Sequence, residues 1–190
     1  MNTQALSTQI VRGSLAEQVK SHGTSLALEW LNVEVIALVD VSGSMDERDA
    51  RGNRQRYAVA CEEMARVQGE RPGKVAVYAF SDSCTFAPGG VPAYEGHGTN
   101  LAGALRTLHK LCQGVSRLIV ISDGSPNSES DALDAAAKIT CQIDTVYIGD
   151  EGDSRARQFL ERLAQVGRGQ RHDAPHADGL ADTVLLLTAG

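Results

Sequence analysis

Aromatic side chains are scarce in these 190 residues, Phe, Trp and Tyr together making up 4% of the chain. Positive charge is short as well: 18 Lys and Arg stand against 24 Asp and Glu, for a formal net charge of -6. A base-stacking platform needs rings and a phosphate-binding face needs a basic excess, so a nucleic-acid partner is not expected. Cysteine is confined to Cys61, Cys84, Cys112 and Cys141, far apart and without a CxxC pair, which argues against a zinc or disulfide framework. Three of the four lie in apolar surroundings and read as small hydrophobes kept reduced. No stretch approaches the roughly 18 consecutive apolar residues of a membrane helix. Residues 1–30 carry Arg12, Glu17, Lys20 and Glu29 where a signal peptide would be apolar. A soluble, cytoplasmic protein without membrane contact is the expectation.

What is present is alternation. Val33–Val39, Val75–Phe80, Arg117–Ser122 and Ile143–Ile148 are short runs rich in Val and Ile, of strand length. Between them come helical stripes: Tyr57, Cys61, Met64 and Ala65; Leu101, Ala104, Leu105, Leu108 and Leu111; Leu133, Ala136 and Ala137; Phe159, Leu160, Leu163 and Val166. Asn100 can cap the second of these, and Ser128, with Asp131 three residues on, the third. Strand–helix alternation predicts βαβ units with right-handed crossovers, hence an α/β, three-layer, doubly wound and mostly parallel sheet. Only Ser81, Asp82 and Ser83 separate Phe80 from Cys84, which leaves room for a hairpin but no crossover. Residues 84–86 are therefore expected as a short antiparallel edge strand. Residues 1–30 read as a helical extension interrupted by Gly13 and Gly23, with Leu6, Ile10 and Val11 as a weak apolar face, ahead of one domain over 31–190. Packing on the domain, dimerisation and partner contact all stay open for that extension.

Oxygen donors collect where the strands end. Asp40, Ser42 and Ser44 follow the first strand in "DVSGSM", Asp123 follows another in "ISDGSPN", and Thr99 opens a helix in "GTNLAGAL". Open α/β sheets bind ligands outside the carboxyl ends of their strands, where the strand order reverses. A donor set of hydroxyls and carboxylates, without Cys or His at ligand spacing, selects a hard cation: Mg²⁺, Ca²⁺ or Mn²⁺.

Taken in chain order and spacing, "DVSGSM", the later "GTNLAGAL" and the still later "ISDGSPN" resemble the three loops of a von Willebrand factor A (vWA) domain with a metal-ion-dependent adhesion site, and the resemblance runs from about Val33 to the C-terminus. It implies a Rossmann-like vWA fold of the intracellular bacterial type. In that family the two serines ligate the metal directly, which assigns Ser42 and Ser44. A threonine joins them when a ligand is engaged, which assigns Thr99. Two aspartates act largely through metal-bound water, the second coordinating directly in some states, and these match Asp40 and Asp123. The implied function is that of an adaptor: a protein partner supplies an Asp or Glu to the open position of the cation, as in family members that work beside AAA+ ATPases or in stress-response operons.

An alternative is a Mg²⁺-dependent phosphohydrolase using the same oxygens. Its usual parts are missing, because the sequence has no GxxxxGK loop, no DxD at the first strand end and no GxSxG elbow. No catalytic residue is assigned. Arg48, Arg51, Arg54 and Arg56 follow the serines closely and are expected either as a solvated loop or as a steering patch for an acidic partner. His172, Asp173, His176 and Asp178 are expected in a polar loop before the last helix rather than as a second metal site.

Overall fold

The computed structural model describes residues 9–49, 53–149, 152–174 and 179–188. Strand β1 (Val35–Asp40) lies inside the sheet, and its burial follows from the alternation of side chains along a strand. Ile36 and Leu38 join one core cluster, while Val35, Ala37 and Val39 join the other. With both faces covered by helices, every position is apolar until the strand ends at Asp40. β2 (Val75–Phe80) and β4 (Arg117–Ser122) flank β1 in parallel. β5 (Gln142–Tyr147) and β6 (Arg168–Asp173) extend the sheet in parallel, and β3 (Cys84–Phe86) closes its other edge antiparallel to β2. The order is β3-β2-β1-β4-β5-β6, so the chain reverses direction across the sheet between β1 and β4. This is the expected doubly wound α/β sheet with its short antiparallel edge.

Helices α3 (Arg56–Glu70) and α7 (Leu180–Thr188) cover one face. α1 (Leu15–His22), α4 (Leu101–Leu108), α5 (Glu129–Ala136) and α6 (Ser154–Val166) cover the other. Each fully buried Leu, Phe or Val in these layers stabilises the fold by about 1.5–3 kcal/mol. The expected caps are present: Asn100 Oδ1 accepts from Gly103 N at 3.0 Å and Ser128 Oγ from Asp131 N at 3.3 Å. Each such cap contributes about 1 kcal/mol. Among the described residues, no helix is long and apolar enough to cross a membrane.

Residues 9–31 pack on the domain. Leu15 is buried in the cluster that holds Ile36 and Phe80. Trp30, in α2 (Leu26–Trp30), meets Tyr78 and Phe86 edge-on at ring-centroid distances of 6.2 and 5.7 Å. Main-chain bonds from Val11 to Gly89 (3.0 Å) and from Ala16 to Pro88 (2.8 Å) tie the segment to the chain that follows β3. Gly23 ends α1 in the left-handed conformation. Leu6 of the expected apolar face lies outside the described residues.

One element departs from the sequence reading. His172 and Asp173, expected in a loop, end strand β6. The hexapeptide "RGQRHD" has no apolar residue, because an edge strand with one open side need not carry an apolar alternation. Its register is irregular between Ile143 and Thr145, and there the buried Asp144 carboxylate accepts from Gln170 N at 2.8 Å while pairing with Arg117. A side chain thus replaces the main-chain partner that the bulge removes. His176 and Asp178 lie outside the described residues.

Candidate metal centre

The reversal between β1 and β4 brings the oxygen-bearing segments together. Asp40, at the end of β1, is fully buried; its Oδ1 accepts from Ser42 N at 2.9 Å and its Oδ2 from Ser122 Oγ at 2.6 Å. Beyond it the chain turns through a 3-10 turn (Gly43–Asp46) held down by Met45, whose side chain is buried against the α3 layer. That turn places Ser42 Oγ 3.3 Å from Ser44 Oγ. The loop carrying Thr99 is laced to this turn through main-chain bonds from Gly43 N to His97 O and from Gly96 N to Val41 O, each 3.1 Å. Thr99 in turn exchanges bonds with Asn127: its N–H donates to Asn127 Oδ1 at 3.0 Å and its carbonyl accepts from Asn127 N at 2.9 Å. Asn127 ends the same "ISDGSPN" segment that contains Asp123. All five residues named from the sequence therefore lie on three mutually bonded loops at one end of the sheet.

The electrostatics of this end are unbalanced. Burial, and next the charge of nearby Asp123, push Asp40 up to about 6, against the pull of the Ser122 and Ser42 hydrogen bonds. Asp123 is also raised, by burial, although the Ser44 hydroxyl and the Arg56 guanidinium draw it down. Arg56 Nη1 lies 3.3 Å from Asp123 Oδ2. The two buried carboxylates repel each other, and among the described residues Arg56 pairs with Asp123 and not with Asp40, so the pair lacks positive charge. Hydroxyls crowd the same place, and no group of three or more His, Cys, Asp or Glu among the described residues is arranged to hold a metal. A cation here would depend on Ser and Thr oxygens with the carboxylates behind them. The residues present fit a hard divalent ion and do not fit zinc. Beside them opens a cavity of about 330 Å³ whose lining includes Ser44, Glu47, Arg56, Asp123, Tyr147 and Asp153.

Two residues of this centre escaped the reading of the sequence. Ser122 holds Asp40 and also accepts from Gly124 N at 2.9 Å, joining the end of β1 to the turn after β4. Its signal is a lone hydroxyl closing the apolar run 118–121. Asn127 closes its motif with no role legible from the local sequence. Of the four arginines, Arg48 is exposed, Arg54 pairs with Glu62 at 2.5 Å, Arg56 is buried among carboxylates and so is not a surface charge, and Arg51 lies outside the described residues.

Gly124 sets the direction of the turn after Asp123. Its φ is +89°, and a Cβ there would stand 2.8 Å from Ala156 Cβ and 3.0 Å from Ala156 O, in helix α6. Gly124→Ala is expected to cost about 2 kcal/mol through left-handed strain and contact with α6. The measurement is the urea midpoint at unchanged slope, and a variant as stable as the parent would refute this account of the turn.

No family model matches the sequence, and no curated protein matches it. Solved structures do. An aerotolerance-related membrane protein from Bacteroides fragilis superposes with a TM-score of 0.64 at 16% identity, over 83% of this chain and 98% of the other. The manganese-loaded TRAP protein of Plasmodium vivax gives 0.56 at 16% identity, over 83% and 72%. Proximal thread matrix protein 1 from the mussel byssus gives 0.55 at 16% identity, over 82% of this chain and 46% of that one. The chain has the von Willebrand A fold. In this vWA sheet the ends of β1 and β4 meet at the reversal point, where Asp40 and Asp123 stand.

Proposed function

We propose that this vWA-fold protein is a metal-dependent binding module that takes an acidic side chain from a protein partner. Ser42, Ser44 and Thr99 would hold the cation, with Asp40 and Asp123 behind them. When bound, Mg²⁺ or a similar ion supplies an electrophilic position open to a carboxylate oxygen. The chain's own groups do the rest. Ser122 and the Ser42 N–H fix both oxygens of Asp40. The reciprocal bonds of Thr99 with Asn127, and those of the Gly96–His97 segment with Val41 and Gly43, keep the three loops in mutual register. Preorganisation of this kind lowers the ordering cost of engaging a partner. Because the proposed direct donors are neutral hydroxyls, the ion would keep most of its charge for the incoming acid.

The observation that carries this reading is the pair of buried carboxylates short of positive charge, set among hydroxyls on interlocked loops. A neighbour of the same fold crystallised with manganese is consistent with it. An adaptor partner, such as an AAA+ ATPase or a stress-response protein, and a cytoplasmic setting belong to the same proposal. The test is titration calorimetry with Mg²⁺, Ca²⁺ and Mn²⁺, together with capture from native lysate with and without EDTA. Ser42→Ala is expected to weaken cation binding at least about tenfold, by removing one hydroxyl donor, and to lose the same prey that EDTA removes. Prey that survives both treatments would overturn the proposal.

A further inference from the structure

Arg56, the first residue of α3, is 5% exposed and keeps its full charge in that position. Its guanidinium is divided unequally. Nε and Nη2 both reach the Asp49 carboxylate, a two-pronged grip, and Nη2 also lies 3.1 Å from Glu47. Only Nη1 is left for Asp123, at 3.3 Å, the outer edge of a hydrogen bond and the longest of Arg56's contacts. Its main-chain N–H bonds Glu47 O at 3.0 Å, fixing the base of the side chain beside the serine turn. Among the described residues, the ion-pair partner of Asp123 is Arg56.

On the reading given above, Asp123 also serves the divalent cation, so two cations have a claim on one buried carboxylate. We propose that Arg56 is a resident counter-ion that competes with the divalent cation for Asp123. In the metal-free protein it neutralises a carboxylate that burial would otherwise penalise. With a divalent ion at the serines, the same guanidinium, anchored by Asp49, is a nearby like charge that repels the ion. The Nη1 contact is the one that gives way, because the two-pronged grip on Asp49 does not depend on it. The centre therefore binds its cation less tightly than its oxygens alone would, and the metal-free chain stays folded.

The experiment compares the wild type with Arg56→Met, Arg56→Gln and Arg56→Lys, by calorimetric Mg²⁺ and Mn²⁺ titration and by urea unfolding in EDTA. Met and Gln remove the competing charge and leave Glu47 and Asp49 as additional anions. Both are expected to tighten cation binding about tenfold, while Lys stays within about threefold of the wild type. Gln keeps some hydrogen-bonding reach and supplies the result if the Met variant does not fold. In EDTA, Arg56→Met and Asp123→Asn are expected to be non-additive in urea, the double variant losing less than the sum of the singles. Unchanged or weaker cation binding in both neutral variants, equal tightening by Lys, or strict additivity in EDTA overturns the role of Arg56. Absence of binding heat from every protein, wild type included, overturns the metal reading itself, and the two failures are thereby distinct.

Discussion

In EDTA the protein is expected to gain about 1.5 kcal/mol of stability as the pH falls from 7.5 to 5, the opposite of ordinary acid destabilisation. The cause is Asp40, whose carboxyl is raised from 3.8 to about 6 by burial and by the charge of Asp123. A carboxyl raised on folding favours the native state when protonated. Stability therefore rises as pH drops through 6, and the full gain, about 3 kcal/mol for a shift of roughly two units, is reached only below the unfolded value near 3.8. Asp123, also raised, acts in the same direction. Glu17, Glu29 and Glu34 are lowered from 4.5 and oppose the trend from about one unit above that value downward, so they trim the gain only at the pH 5 end of the window. A saturating divalent cation is expected to invert the profile, since a bound cation compensates the carboxylate that metal-free protein would rather protonate. Apparent cation affinity should then fall about tenfold between pH 7 and pH 5, as the proton takes the place of the ion. Urea unfolding at several pH values, with EDTA and with Mg²⁺, checks both halves. Two flat, superimposable profiles would mean that Asp40 is not the strained carboxylate described here.

Ser122→Ala is expected to cost about 3 kcal/mol, an outsized loss for one oxygen. That oxygen serves two buried groups: it donates to Asp40 Oδ2 at 2.6 Å and accepts from Gly124 N at 2.9 Å. Its removal strips a charge-assisted bond, worth about 1.5–3 kcal/mol, and leaves a main-chain N–H unsatisfied. The variant carries a second signature that a mere packing defect would not produce. With one fewer donor, Asp40 is raised further, so the pH profile in EDTA should move to higher pH. Cation binding should weaken as well, because Asp40 and the turn after β4 lose their common link. A loss below about 0.5 kcal/mol with an unmoved profile would remove Ser122 from the centre.

Much of this was legible from residue order. Continuous apolar runs of strand length, separated by helical stripes, announce a buried parallel sheet, since only strands covered on both faces can dispense with polar positions. The hairpin at Ser81–Ser83 and the caps at Asn100 and Ser128 were legible because each depends on chain separation or on a bond within three residues. β6 was not, because an edge strand with no fully buried side chain needs no apolar alternation, and its pairing rests on main-chain bonds and on the side chain of Asp144.

For the centre, the sequence by itself determined the chemistry: oxygen donors without sulfur or imidazole, placed just beyond strands that had to be buried. Only the tertiary structure decided what surrounds them. Ser122 meets Asp40 across 82 positions and Arg56 meets Asp123 across 67. Such pairings are set by the neighbouring of β1 with β4 and by the seat of α3 on the sheet, and no local pattern encodes either. The same seat turned Arg56 from an expected surface charge into a buried one, because a side chain at a helix start is exposed or enclosed according to what its helix packs against.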